Sequence, residues 1–308
     1  MKAIMYHYIR KYNEGLPFFK FLSANNFSKQ LDFFQQEYGF VTKKEFNNFI
    51  MTGAMPDQRG KILLTFDDGF SDHYDYVFTE LRNRDLWGIF FVPTMPLVEN
   101  CILEVHKIHL LCGQYKGEAL LKFLNKIISK EMLSDKYIND FDKKIYLLQS
   151  NSDSISNFKK ILNYFIKEEY KSDVINQIID KFNINTRSDN FYLNIEQIKE
   201  MSNSGMLFGS HTCSHKLLST LDKRNQKSEI ENSIKYLETF LKLDQRLFCF
   251  PYGGFHSFNN KTISTLKELN FSCSFNVESR EINKNDFNSS LYHLPRYDCN
   301  EFKYGNVS

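Results

Sequence analysis

Two adjacent acidic residues, Asp67 and Asp68, follow an apolar run and are themselves followed by a glycine, Gly69. A short apolar run that ends in glycine is typical of a buried parallel strand with a tight turn after it. Neighbouring side chains on a strand point to opposite sides, so one carboxylate can bind a metal while the other moves a proton. The same residues also fit a plain Asp-Asp-Gly turn, so this pattern alone leaves both interpretations open.

A histidine pair, His211 and His215, follows a second short apolar run about 140 residues later. Histidines four positions apart lie on one face if the chain begins a helix there, and they can then share one ion. Two imidazoles with one carboxylate are a common ligand set for Zn²⁺ or a related divalent metal in hydrolases. Histidine pairs are more often surface residues than ligands, but the acidic pair at another strand end favours a metal site.

Three segments of this chain resemble signature motifs of one family. Residues 65–69 (Thr-Phe-Asp-Asp-Gly) and 211–215 (His-Thr-Cys-Ser-His) are similar to the first two motifs of the polysaccharide deacetylases, carbohydrate esterase family 4, which share the NodB-homology domain. Residues 248–253 resemble the third motif, and 194–205 resemble the helix that leads into the histidine motif. The resemblance covers roughly residues 1–97 and 190–300.

The chain also departs from the family pattern. The arginine that usually precedes the proline of the third motif by two positions is replaced by Cys249. The last family motif, Leu-x-x-His, is not found in its usual place, where residues 291–296 read Leu-Tyr-His-Leu-Pro-Arg. Instead, Ile4-x-x-His7 stands in the first predicted strand. This arrangement resembles the branch with poly-N-acetylglucosamine deacetylases, in which the last strand has moved to the front.

The resemblance implies a ligand set and a cofactor. Asp68, His211 and His215 would hold one divalent metal ion, with zinc favoured and cobalt, nickel, manganese or iron as alternatives. Such an ion makes its bound water more acidic and polarises a substrate carbonyl.

The resemblance also implies the remaining catalytic roles. Asp67 would act as general base, the backbone N–H of Tyr252 would stabilise the oxyanion, and His7 would protonate the departing amine. An amide requires that proton because a free amide anion is a very poor leaving group.

Arg296 is a candidate replacement for the arginine absent at Cys249. It follows the last predicted strand, 291–294, after Pro295, so its planar guanidinium can reach Asp67 and pair with the carboxylate through two hydrogen bonds. The alternative is a surface pair with the nearby Asp298.

Alternating apolar runs and helical patterns predict an α/β fold, a distorted (β/α)7-type barrel. Predicted strands are 2–6, 62–66, 89–92, 206–208, 247–250, 273–275 and 291–294, and helical patterns include 75–81, 230–241 and 262–269. The candidate site residues all fall at or just beyond strand ends, where barrel enzymes place their active sites.

Residues 98–189 are predicted to be a helical insert, and 1–97 with 190–308 to be the barrel. Helical periodicity is found at 120–128, 145–148, 155–166 and 174–182, with no proline and little glycine. The apolar faces of these helices either pack on one another or form a lid, a substrate clamp or a surface for homo-oligomerisation.

The composition of the chain limits the classes of binding partner and indicates a cellular location. Lys and Arg number 39 against 37 for Asp and Glu, and a net charge of +2 does not favour nucleic acid or anionic lipid. Polar and charged residues interrupt the N-terminal segment before an apolar core develops, so no signal peptide is predicted and a cytoplasmic location is expected. No segment approaches the roughly 20 apolar residues of a transmembrane helix.

Together these features predict a metal-dependent hydrolase that removes the acetyl group from an N-acetylated sugar within a glycan pathway. The acetamido sugar could be free, nucleotide-linked, lipid-linked or part of an oligosaccharide. Two alternatives remain, namely hydrolysis of another C–N bond, as in a cyclic ureide or imide, and a catalytically silent carbohydrate-binding protein.

Overall fold

The computed structural model describes residues 1–134, 152–186 and 190–307. Its strands are β1 (Lys2–Tyr6), β2 (Ile9–Arg10), β3 (Leu22–Ser23), β4 (Ile62–Phe66), β5 (Ile89–Val92), β6 (Leu207–Ser210), β7 (Leu247–Cys249), β8 (Cys273–Phe275) and β9 (Tyr297–Asp298). Seven of them form one parallel sheet in the order β8-β7-β6-β5-β4-β1-β9, which curls into a half-barrel, and β2 pairs with β3 separately. This architecture confirms the predicted distorted (β/α)7-type barrel.

The helices follow the strands along the chain. They are α1 (Ala24–Glu37), α2 (Lys43–Thr52), α3 (Thr79–Asn83), α4 (Met95–Glu99), α5 (Glu104–Gln114), α6 (Gly117–Ile127), α7 (Asp153–Lys160), α8 (Glu168–Phe182), α9 (Ile195–Asn203), α10 (Lys223–Glu238), α11 (Asn260–Glu268) and α12 (Asp286–Ser289). π-Helical turns occupy His73–Phe78 and Ile161–Phe165, and 3₁₀ turns occupy Lys130–Met132, Leu218–Thr220, Leu291–His293 and Cys299–Glu301. No helix among the described residues is both long and apolar enough to span a bilayer.

The register of the central strands determines which residues reach the same end of the sheet. All five residues of β4 are buried, as expected for a parallel strand covered on both faces. β1 pairs with β4 from Lys2 opposite Ile62 to Tyr6 opposite Phe66. The residues that follow these two strands are His7 and Asp67, so the register brings them to the same end of the sheet.

Aromatic rings run across four neighbouring strands. Phe66 stacks on Tyr6 with ring centroids 5.3 Å apart and on Phe90 at 4.7 Å, and Phe90 stacks on Phe208 at 5.6 Å. Such pairs contribute about 0.5–1.5 kcal/mol each beyond their buried area. These rings therefore form part of the core directly beneath the strand ends.

Gly209 allows β6 to lie close to its neighbours. A Cβ atom at this position would come within 2.7 Å of both the carbonyl oxygen of Leu247 and the ring of Phe91. Any larger residue would push β6 away from β5 and β7, and the histidine segment begins two residues later, at His211.

The chain forms two compact units. One comprises Met1–Lys11, Phe21–Cys101 and Ser188–Ser308, and contains the seven-stranded sheet. The other comprises Tyr12–Lys20 and Ile102–Arg187, and contains helices α5 to α8. Within the helical unit the backbone N–H of Phe18 donates to the carbonyl oxygen of Gly113 at 2.8 Å.

Some predicted elements differ from the structure. Residues 291–294 were predicted to be a strand, but Leu291–His293 form a 3₁₀ turn, and only Leu294 makes a bridge, to Phe275. The last strand is instead β9, a two-residue element beside β1. The helical segment predicted at 145–148 lies outside the described residues.

Candidate metal and catalytic centre

The two aspartates lie where β4 ends and the chain turns. Asp68 has a φ of 75° and Gly69 a φ of 61°, so two successive residues adopt the left-handed conformation. A residue with a side chain in this region carries strain of about 1–3 kcal/mol, which persists at functional sites when the surrounding structure holds it. The turn sends the carboxylate of Asp68 towards the histidines.

The histidine segment is a loop in the structure, and the helix considered for it is wrong. Thr212 and His215 have φ values of 65° and 58°, and the hydroxyl oxygen of Thr212 accepts the backbone N–H of His215 at 3.0 Å. Glu229 of α10 accepts the backbone N–H groups of Cys213 at 3.0 Å and Ser214 at 2.9 Å. This carboxylate stabilises the loop, which lacks helical hydrogen bonds, and no motif in the sequence marks Glu229 for that role.

Asp68, His211 and His215 form a compact buried group. The Nε2 atoms of His211 and His215 lie 3.4 and 3.3 Å from the same Asp68 oxygen, Oδ1. All three side chains are at most 6% exposed, and their donor atoms lie within 4.8 Å of one another. A buried carboxylate with two imidazoles fits one divalent metal ion by the chemistry of its donors.

The orientation of His211 supports its role as a ligand. Its Nδ1 lies 2.9 Å from the carbonyl oxygen of Cys249, which can only accept a hydrogen bond. Nδ1 therefore donates to that carbonyl, and Nε2, the nitrogen that faces Asp68, is the atom that would bind a metal. Metal-binding histidines are commonly fixed in this way by a carbonyl at the second ring nitrogen.

Asp67 and Arg296 form a buried ion pair with two parallel hydrogen bonds. Nη1 of Arg296 donates to Oδ1 at 2.8 Å and Nη2 donates to Oδ2 at 2.7 Å. The guanidinium is fully buried and also donates to the hydroxyl of Thr65 at 3.1 Å. The pairing expected from the sequence is present, although Arg296 immediately precedes β9 rather than ending a strand at 291–294. Asp298, the alternative partner, accepts the backbone N–H of Asn300 instead.

The electrostatics keep Asp67 ionised. Burial alone would raise the pKa of its carboxyl, but the charge and hydrogen bonds of Arg296, with smaller contributions from His211 and His7, hold that pKa below its ordinary value. A carboxylate that is ionised and fixed in orientation is suited to accept a proton.

Cys249 lies beside this ion pair. Its sulfur is 2.9 Å from Nη2 of Arg296 and 3.5 Å from Oδ2 of Asp67, and burial raises the pKa of the thiol. Asp67, His211 and Cys249 are close enough to form a second donor group. The guanidinium of Arg296 contacts both Asp67 and Cys249, so its fixed positive charge excludes a metal cation there.

A family model described as polysaccharide deacetylase matches residues 156–274, less than half of the chain but including the histidine loop and the third motif. Residues 156–274 are thus similar to the polysaccharide deacetylase family. This similarity supports an enzyme that removes N-acetyl groups from polysaccharides.

Solved structures of deacetylases share the fold of this chain at low sequence identity. The deacetylase PplD from Streptococcus pyogenes, solved in complex with acetate, aligns with a TM-score of 0.59 and 17% identity over 97% of this chain and 91% of its own. IcaB from Ammonifex degensii gives 0.54 and 17% over 96% and 90%. A de-N-acetylase from Aggregatibacter actinomycetemcomitans gives 0.53 and 13% over 96% and 93%. No curated protein matches this chain in sequence.

Two further candidate residues lie next to the buried group. Nε2 of His7 is 4.0 Å from Oδ2 of Asp67 and 3.9 Å from Oδ2 of Asp68, and its side chain is 40% exposed. Tyr252 follows β7 with a φ of 66°, and its ring centroid is 5.0 Å from that of His215. The structure thus brings all seven candidate residues to one end of the sheet.

Proposed function

We propose that this enzyme hydrolyses the acetamide of an N-acetylated sugar in a glycan, with a metal held by Asp68, His211 and His215. The observation that carries the proposal is the buried Asp67–Arg296 pair beside that group of three. The pair supports Asp67 as an ionised carboxylate that lies beside these three donors and is held by Arg296, as a general base requires.

The metal site would supply the electrophile. When bound there, a divalent ion polarises the acetyl carbonyl and makes a water molecule more acidic. Zinc suits the imidazole-rich donor set, and cobalt, nickel, manganese and iron are the alternatives.

Asp67 would take the proton of the attacking water. Arg296 holds the carboxylate by both oxygens, so the side chain cannot rotate away, and the protonated thiol of Cys249 contacts Oδ2. The absence of the usual third-motif arginine is compatible with a catalytically silent protein. Arg296 supplies that positive charge from another part of the chain and so argues against this alternative.

His7 would protonate the nitrogen of the departing amine. It lies within 4.0 Å of both carboxylates, and its side chain is 40% exposed, so the ring is accessible to a substrate. The backbone N–H of Tyr252 would stabilise the tetrahedral oxyanion, as the family resemblance implies.

Acetate release from a panel of N-acetylated carbohydrates tests the proposal. The panel includes a free sugar, a nucleotide-linked sugar and oligosaccharides, assayed as purified, after chelation, and after return of single metals. We expect acetate from at least one member, its loss on chelation and its recovery on metal addition. A metal-loaded protein that releases no acetate from any member would contradict the proposal.

His7→Ala is expected to lower amide hydrolysis far more than hydrolysis of an activated aryl acetate. Loss of a general acid costs about 10²–10⁴-fold where the leaving group requires a proton, and the aryloxide leaving group does not. The measurement is the ratio of kcat values on the two substrates. Equal losses on both would assign His7 a structural role, and His256→Ala and His293→Ala would then identify the acid.

Arg296→Lys is expected to impair turnover, to leave the metal content intact and to move the acidic limb of the pH–rate profile upward. Arg296 holds the pKa of Asp67 down, so a substitution that keeps the charge but loses the planar double hydrogen bond lets that pKa rise. Asp67 then becomes protonated at a higher pH, and activity is lost earlier as the pH falls.

Arg246→Lys is the matched control for this substitution. Arg246 donates to both carboxylate oxygens of Glu238, at 2.6 and 2.9 Å, away from the site. Its substitution should leave the pH–rate profile unchanged. An unshifted acidic limb in Arg296→Lys would show that Arg296 does not control Asp67.

A further inference from the structure

His73 is a fully buried imidazole at the start of the π-helical turn His73–Phe78, six residues after Asp67. Its Nε2 atom lies 2.9 Å from the main-chain oxygen of His7. Because a carbonyl oxygen only accepts hydrogen bonds, Nε2 must carry the proton. In the neutral ring Nδ1 is then unprotonated, and among the described residues it has no hydrogen-bond partner.

The surroundings of His73 are aromatic. Its ring centroid lies 5.7 Å from those of Phe66 and Phe90 and 5.8 Å from that of Phe70. Burial lowers the pKa of His73 to about 4, against which the bond to His7 and the charges of Asp68 and Asp67 act only partly. The ring is therefore neutral near pH 7 and can act at His7 only as a hydrogen-bond donor.

The His7 carbonyl lies one residue beyond the sheet. Pairing of β1 with β4 ends at Tyr6 and Phe66, and the backbone N–H of Asp67 donates to the Tyr6 oxygen at 2.9 Å. The next carbonyl outward, that of His7, accepts the bond from His73. The hydrogen bond from His73 thus holds the backbone of His7, where strand pairing has ended. The side chain of His7 lies within 4.0 Å of both carboxylates.

We propose that His73 is a positioning residue that fixes the main chain of His7, and thereby aims the catalytic acid at the substrate nitrogen. This inference rests on the proposed function, in which His7 is the acid. His73 itself touches neither the substrate nor the metal group, and its effect passes through the backbone of His7.

His73→Phe removes the donor and keeps a planar ring that suits the three phenylalanines around it. We expect kcat for amide hydrolysis to fall by about 10–100-fold, since a shift of a catalytic group by about 1 Å costs up to 10²-fold. Hydrolysis of an activated aryl acetate should stay within a few-fold, because it needs no acid. His73→Gln, which keeps an N–H donor on a side chain of similar reach, should restore most of the amide activity.

Val77→Ala is the matched control in the same π-helical turn. Val77 is fully buried and its truncation removes packing without touching the His7 carbonyl. It should lower the thermal midpoint and leave the ratio of amide to ester turnover unchanged. If His73→Phe lowers both activities equally, or if Val77→Ala changes the ratio as much, the positioning role is wrong.

A nitrogen-15 NMR measurement tests the hydrogen bond in the wild-type enzyme without any activity assay. The two ring nitrogens of His73 should show a proton on Nε2, and the ring should stay neutral from pH 8 down to about 5. Titration near the ordinary histidine value, or a proton on Nδ1, would overturn the inference. Wild-type enzyme that releases no acetate would contradict the proposed function instead, which separates the two failures.

Discussion

Asp67→Asn is expected to keep its metal and to lose about 10²–10⁴-fold in turnover, because the substitution removes the base and leaves Asp68, His211 and His215 untouched. It also leaves Arg296 buried opposite a neutral amide, so we expect a lower thermal midpoint. Turnover must therefore be measured well below that midpoint, with metal content determined on the same sample.

Asp72→Asn is the matched control for this variant. Asp72 is also a buried aspartate paired with an arginine, since Nε of Arg10 donates to its Oδ2 at 2.7 Å, but it lies outside the proposed chemistry. It should retain most of the wild-type turnover. If Asp67→Asn retains activity within a few-fold while binding metal, Asp67 is a turn residue and the base must be sought elsewhere.

His215→Ala is expected to abolish stoichiometric metal and, with it, deacetylation. The remaining Asp68 and His211 provide two donors, fewer than the three protein ligands usual in catalytic zinc sites. Elemental analysis of the purified variant is the direct measurement, and His106→Ala, which removes a buried imidazole of the helical unit, controls for loss of a histidine as such.

Acid should release the metal from the wild-type enzyme. Histidine ligands bind metal only when neutral, so affinity falls as the pH drops and protons compete for the two imidazoles.

His215→Ala protein that still holds one metal per chain would refute the ligand set, whatever its activity.

The strands were predictable where both faces are covered. β1, β4, β5 and β8 occupy the residue ranges predicted from their apolar runs, since a strand buried on both faces has a continuous apolar sequence. Residues 291–294 have a similar apolar content, yet Leu294 reaches the core from the end of a 3₁₀ turn. Apolar content reports burial and does not distinguish a short strand from a turn.

Site positions were predictable because they follow strand ends, but their conformation was not. Asp67 and His211 are the first residues after β4 and β6, and a sequence pattern marks such positions. The left-handed conformations of Thr212 and His215 depend on Glu229, which belongs to a helix further along the chain. His73 gave no signal because a single histidine in a helical pattern has no spacing to interpret.

The Asp67–Arg296 bond joins positions 229 residues apart. Contacts of such long range form only after much of the chain has collapsed, because loop closure must come first. Until Arg296 arrives, Asp67 can be buried only as a neutral acid or at the expense of its solvation. Ionisation and orientation of Asp67 and packing of this edge of the sheet are consequently one cooperative event. A local opening that releases Arg296 would therefore remove the proton acceptor and destabilise the fold at the same time.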